Sequence, residues 1–191
     1  RRARIPFGLF LKAVRRTLAR RLEAEWTGGY LLQDDGSYVY FPAKLDEHAR
    51  SRLANPTREG HIATRFCRDG GVAFDIGANI GDWSVPMAIG VGPGGRVFAF
   101  EPIPEIAEAL RRTIKVNGWV QAEVIESALS DSSGRGSFVV REDHTAMSGF
   151  DGPVVKGGQE KTIEIEKTTL DAFVIERGLA RIDFIKIDVE R

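Results

Sequence analysis

A short apolar run that ends on a glycine-containing turn, Val72-Ala73-Phe74-Asp75-Ile76 and then Gly77-Ala78-Asn79-Ile80-Gly81, most narrows what this chain can fold into. The run predicts a short core strand, and the pattern beyond it is regular: Gly81–Ile89 reads as a helix, Arg96–Phe100 as a second strand, and Pro104–Asn117 as a second helix. In that helix Ile106, Leu110 and Ile114 repeat every four residues, Pro104 sits near the start and Gly118 comes just after the end as a cap. A third strand is expected at Glu123–Glu126. Strands alternating with helices in this order predict an α/β fold, with a mostly parallel sheet and helices on both faces.

Downstream, Ser137–Arg141 and Thr162–Lys167 alternate as strands and predict an inserted antiparallel pair near residues 134–168. Leu170–Arg177 then reads as a helix stopped by Gly178, and Ile182–Val189 as a buried-type strand. Upstream, Tyr30-Leu31-Leu32 and Tyr38-Val39-Tyr40-Phe41 flank Gln33-Asp34-Asp35-Gly36-Ser37, whose Asp-Gly step signals a hairpin. Residues 47–68 are weakly helical and broken by Asn55-Pro56. Three parts are therefore expected: a basic amphipathic helical extension over 1–28, a hairpin and helical lead-in over 29–69, and the main α/β domain over 70–191.

The formal net charge is zero, from 27 Lys and Arg against 27 Asp and Glu. It hides a basic first segment, where Arg1, Arg2, Arg4, Lys12, Arg15, Arg16, Arg20 and Arg21 face only Glu23 and Glu25. The main domain is correspondingly acidic, which argues against a nucleic-acid partner. Phe7, Leu11, Val14, Leu18 and Leu22 form one apolar stripe, so residues 5–25 could contact a membrane surface peripherally or dock on the domain. No apolar run approaches the about 20 residues of a membrane span, and the start lacks the pattern of a signal peptide. The single cysteine, Cys67, and the histidines His48, His61 and His144 show no metal-ligand spacing, so no metal site and a cytoplasmic location are expected.

The turn Gly77–Gly81 lies where doubly wound sheets bind nucleotides, between a strand and its crossover helix. A dinucleotide fingerprint would place glycines at 79 and 82, where this chain has Asn79 and Asp82. Without the second glycine a pyrophosphate cannot approach the backbone, and Asp82 would repel it. A cofactor without phosphates fits better, and S-adenosylmethionine is one. Asp75 is expected to balance its ammonium, directly or through water. The backbone N–H groups of Gly77, Ala78, Asn79 and Gly81 would meet its carboxylate. Glu101, twenty positions after Gly81 at the tip of the second strand, is placed to accept from both ribose hydroxyls.

The chain resembles the FkbM-type methyltransferases in Phe74–Gly81, Val97-Phe98-Ala99-Phe100-Glu101-Pro102, Ala128-Leu129-Ser130-Asp131 with Gly134, Thr169-Leu170-Asp171, and Ile182–Glu190. The resemblance runs from about Gly70 to the last residue. It implies a Rossmann-like class I methyltransferase fold and methyl transfer from S-adenosylmethionine to a hydroxyl of a sugar or other small molecule. By the same match Ala128 and Leu129 would line the adenine pocket, and Asp188 would sit beside methyl donor and acceptor.

A hydroxyl acceptor must lose a proton, for which Asp188, then Glu190, then His144 are the candidates. The family pattern continues with glycine where this chain has Arg191 and stops, so the fold is expected to be truncated after its fourth core strand. Two other readings stay open. One is a catalytically silent binding or scaffold protein, and the other a nicotinamide-dependent oxidoreductase.

Overall fold

The computed structural model describes residues 28–44, 46–54, 62–142, 144–150 and 160–189. The expected basic helix of residues 5–25 and the candidate Glu190 lie outside them. The elements run β1 (Gly29–Leu32), β2 (Tyr38–Phe41), α1 (Glu47–Ala54), α2 (Ala63–Phe66), β3 (Val72–Ile76), α3 (Ser84–Val91), β4 (Arg96–Phe100), α4 (Pro104–Val116) and β5 (Ala122–Ile125). Then come β6 (Ala128–Leu129), β7 (Gly134–Arg141), a 3-10 turn (Thr145–Met147), β8 (Glu160–Thr168), α5 (Leu170–Glu176) and β9 (Phe184–Ile187).

The central sheet has the order β5-β4-β3-β9, and all its pairings are parallel. Parallel neighbours cannot be joined by a tight turn, so α3 carries the chain from β3 to β4 and α4 carries it from β4 to β5. Side chains on a strand alternate between faces, and here the two faces differ in bulk. Phe74, Ile76, Phe98 and Phe100 pack on one side with Phe173 of α5, whose ring lies 4.9 Å from Phe100 and 5.2 Å from Phe98. On the other side the small Ala73 and Ala99, with Val97, let helices approach: α3 through Met87, Ala88 and Val91, and α4 through Leu110. Helices therefore cover both faces, which is the Rossmann-like arrangement.

The chain builds outward from β3 to β5 and then crosses back to place β9 on the other flank of β3. Such a reversal opens a crevice at the C-terminal strand ends, because the connections after β3 and β9 diverge there. Gly77 sits at this point with φ +76°, and a Cβ on it would fall 2.0 Å from the carbonyl oxygen of Asp188. No side chain fits there, so glycine lets the end of β9 close against the turn.

Three expectations are corrected. The helix after the turn begins at Ser84 rather than Gly81, because Gly81 (φ +102°) is still in the turn. The insert is three-stranded rather than a pair: β7 runs antiparallel to β8, and the short β6 joins the other edge of β8 in parallel. Strand β9 is shorter than expected and not fully buried, since among the described residues it is the edge of the sheet and leaves Ile187 65% exposed.

The hairpin β1–β2 forms as expected and docks on α4. The Tyr40 N–H donates to Thr113 Oγ1 at 2.9 Å, and Asn117 closes a two-way bond with the Tyr38 backbone. Val39 and Phe41 share one buried cluster with Ile80, Val85, Ile106 and Phe138. Among the described residues no helix is long and apolar enough to cross a membrane.

Candidate cofactor and acceptor site

A cavity of about 220 Å³ opens at the C-terminal ends of β3, β4 and β9, roofed by the insert and by α1. Gly77, Ala78 and Asn79 line it from the first turn, Glu101 from the tip of β4, Ala128 and Leu129 from β6, and Asp188 from the end of β9. Residues separated by more than a hundred positions thus meet at one switch point. Asp75, Gly81 and His144 do not line it.

Glu101 is the best-defined group. It is 4% exposed, and its two oxygens accept from separate backbone donors, Asn79 N–H on Oε2 and Ile103 N–H on Oε1, each at 2.9 Å. Burial pushes its carboxyl up to about 7, partly offset by those two N–H groups. A carboxylate oxygen has two acceptor sites, so each retains one for a ligand donor while the backbone fixes the group's orientation.

The expected role of the turn N–H groups is corrected. Gly77 and Ala78 both donate to Phe100 O, Gly81 donates to Ala78 O, Asn79 donates to Glu101, and Ile80 donates to Asn79 Oδ1. All five are engaged within the protein, so the turn offers no open nest for a carboxylate. Asn79 takes φ +47°, the left-handed backbone that a second glycine would otherwise supply. Its own Oδ1 stabilises that bend through the Ile80 N–H at 2.8 Å.

The expectation that Asp75 meets a ligand ammonium directly is likewise corrected. Its carboxylate is completely buried, accepts from Ser84 Oγ at 2.6 Å and lies 3.2 Å from Lys186 Nζ. Burial pushes the carboxyl up, and Lys186 and Ser84 pull it back. The register explains the pairing: Asp75 of β3 stands directly opposite Lys186 of β9. Lys186 also donates to Gly77 O at 2.8 Å and reaches the cavity, so it stands between Asp75 and any ligand. Sequence reading assigned Lys186 no role. A lysine set in the apolar run Phe184-Ile185-Lys186-Ile187 was the available signal, since a charge there requires a buried partner.

At the opposite wall His48 and Asp82 line the cavity, with His48 Nε2 3.3 Å from Asp82 Oδ2. Arg52 Nε donates to the other oxygen of Asp82. Burial opposes ionisation of Asp82, but the His48 and Arg52 contacts hold its carboxyl below the usual range. Its charge is therefore compensated, which weakens the expectation that Asp82 by itself repels phosphates. Asp188 is 79% exposed and lies 3.8 Å from Lys186 Nζ. His144 does not line the cavity, and its ring lies 6.5 Å from that of His48. Among the described residues no cluster of His, Cys, Asp and Glu could hold a metal.

The profile of the methyltransferase FkbM domain matches residues 75–190. The chain is 33% identical over 150 residues to 31-O-demethyl-FK506 methyltransferase FkbM of Streptomyces tacrolimicus, covering 65% of this chain and 57% of that protein. It is 42% identical over 60 residues to protein-L-isoaspartate O-methyltransferase of Aeropyrum pernix, covering 31% of this chain and 22% of that one. The chain thus spans little more than half of the first relative and less than a quarter of the second. Among solved structures, P. horikoshii TYW2 in complex with MeSAdo aligns with a TM-score of 0.46 at 19% identity, over 57% of this chain and 39% of that one.

Proposed function

This chain belongs to the FkbM methyltransferase family, and from that premise we propose that it binds S-adenosylmethionine in the crevice of β3, β4 and β9 and methylates a hydroxyl of a sugar or other small molecule. The observation that carries the reading is Glu101. It is a carboxylate locked by two backbone N–H groups at the tip of β4, with acceptor capacity left toward the cavity.

The residues present fit such a cofactor. The cavity's titratable lining is Glu101, Asp82, Asp188, His48 and Lys186; Lys186 is paired with Asp75 and Asp82 with Arg52, which leaves the acids Glu101 and Asp188 toward the ligand. That balance favours a cation over a polyphosphate. Glu101 holds the ribose hydroxyls, Ala128 and Leu129 give the adenine an apolar wall, and Asp188 faces the amino-acid end and the acceptor. Lys186 opposes the upward push of burial on the Asp75 carboxyl and fixes the Gly77 carbonyl, so the turn stays shaped for the ligand. When bound, the cofactor supplies an electrophilic methyl group on a sulfonium. What the protein adds is mainly alignment, since methyl transfer needs an in-line approach at about 3–3.5 Å. The name of the first curated relative, an O-demethyl-FK506 methyltransferase, supports oxygen as the accepting atom.

Calorimetry on the full chain tests the reading. S-adenosylhomocysteine is expected to bind, NAD is not, and Glu101→Ala is expected to lose about tenfold or more in affinity, as removal of a charge-assisted bond implies. Absence of heat with millimolar S-adenosylhomocysteine, or preferential binding of NAD, would overturn it. Methyl-labelled S-adenosylmethionine offered with monosaccharides and with other small-molecule alcohols then reads the acceptor class, by where the label appears.

A further inference from the structure

The geometry points to His48, oriented by Asp82, as the base that takes the proton from the acceptor hydroxyl. This inference rests on the methyltransferase reading above and gives the lead-in segment a chemical task that its sequence did not announce.

His48 and Arg52 lie four positions apart on α1 and so share one face of it. Both reach across to Asp82 in the turn before α3, His48 Nε2 at 3.3 Å from Oδ2 and Arg52 Nε on Oδ1. Asp82 is thereby fixed from two sides. A neutral imidazole carries one donor and one acceptor, and the Asp82 charge 3.3 Å from Nε2 favours the proton on that nitrogen, which leaves Nδ1 as the basic position. Nε2 is buried beside Asp82 Oδ2 and makes no hydrogen bond, and His48 lines the cavity.

The placement of α1 is not incidental. Asp46, just before it, accepts from Ala49 N–H at 2.8 Å with Oδ1. Its Oδ2 accepts from Thr145 N–H at 2.7 Å and Thr145 Oγ1 at 2.5 Å. Thr145 belongs to the 3-10 turn that roofs the cavity, and its Oγ1 also accepts from Asn79 Nδ2 at 3.3 Å. The lead-in, the insert and the first turn are thus tied together around His48.

Of the candidates read from the sequence, Asp188 is 79% exposed and faces Lys186, so it lacks an orienting partner that would favour its protonated form. His144 does not reach the cavity and packs on the His48 ring. Among the described residues Asp82 and His144 lie against His48, with Arg52 on the other oxygen of Asp82, and Glu101, Asp188 and Lys186 line the same cavity.

In the reaction the hydroxyl proton passes to His48 Nδ1 as the oxygen forms its bond to the methyl carbon. The carbon–sulfur bond breaks with its electron pair left on sulfur, giving a neutral thioether. Asp82 stabilises the imidazolium, which then releases its proton to solvent.

The test needs no acceptor. In the full chain with carbon-13-labelled histidine, the three histidine resonances are assigned with His48→Gln, His61→Gln and His144→Gln. They are then titrated with S-adenosylmethionine and, separately, with S-adenosylhomocysteine at saturation. A base beside the methyl group feels the sulfonium charge, so His48 is expected to titrate about half a unit or more lower with the methylated nucleoside. Asp82→Asn, which removes the charge that orients the ring, is expected to shrink that difference. If both nucleosides bind and His48 titrates identically with each, the histidine only braces Asp82 and the inference falls, leaving the methyltransferase reading intact. If neither binds, that reading falls and this one with it.

Discussion

Glu101 keeps a carboxylate almost out of water while two backbone N–H groups hold it, and this combination makes its protonation a readout of ligand binding. Its folded-state value, raised to about 7, lies above the unfolded value near 4.3. In that window the folded protein holds a proton that the unfolded chain has lost. Stability from this group is therefore fully present below the unfolded value and is lost as pH rises toward 7. Ribose hydroxyls favour the ionised form, so the sign for binding is opposite. Affinity for S-adenosylhomocysteine is expected to rise as pH increases through about 7 and then level off. Glu101→Gln should bind more weakly and lose that component, because an amide can accept only one of the two backbone N–H groups through its single oxygen. Calorimetry at several pH values on both proteins checks this, and an unchanged profile in the variant would assign the dependence to another group.

The three phenylalanines of β3 and β4 place a dense aromatic layer under one helix, α5. Its Phe173 ring lies 4.9 to 5.9 Å from those of Phe74, Phe98 and Phe100 and is 4% exposed. Among the described residues α5 is the helix that covers this face, and its Thr169 cap, which accepts from Ala172 N–H at 3.1 Å, fixes where it starts. Phe173→Ala is expected to cost about 3–5 kcal/mol, as large-to-small changes in packed cores do. Urea titration measures it. A loss below about 1 kcal/mol would mean that the layer closes over the gap without α5.

At the scale of the whole molecule the hairpin is part of the main core rather than an appendage, since Val39 and Phe41 pack with Ile80, Val85, Ile106 and Phe138. Unfolding monitored by far-ultraviolet circular dichroism and by tryptophan fluorescence should then give coincident transitions. Phe41→Ala should move both together, by about 3–5 kcal/mol. A fluorescence transition that stays in place while the other shifts would show the hairpin melting alone.

The order of strands and helices, the switch-point turn and Glu101 were legible in the residues because each depends on local rules. These are the apolar strand, the left-handed turn positions, the four-residue helical repeat, and a fixed distance along the chain from the turn to the next strand tip. Even the departure at Asn79 obeys such a rule, for asparagine tolerates the backbone that glycine would adopt. What the sequence could not announce were contacts made by register and long-range closure. Lys186 meets Asp75 only because β9 pairs with β3 in one register, which removes Asp75 from the cavity. His48 meets Asp82 only because Asp46 pins α1 to the 3-10 turn. Local patterning determined the order of the core strands and helices and what kind of ligand the turn after β3 suits; tertiary closure decided where β9 stops and which distant side chains face the ligand, because pairing energies across the sheet leave no trace in spacing along the chain.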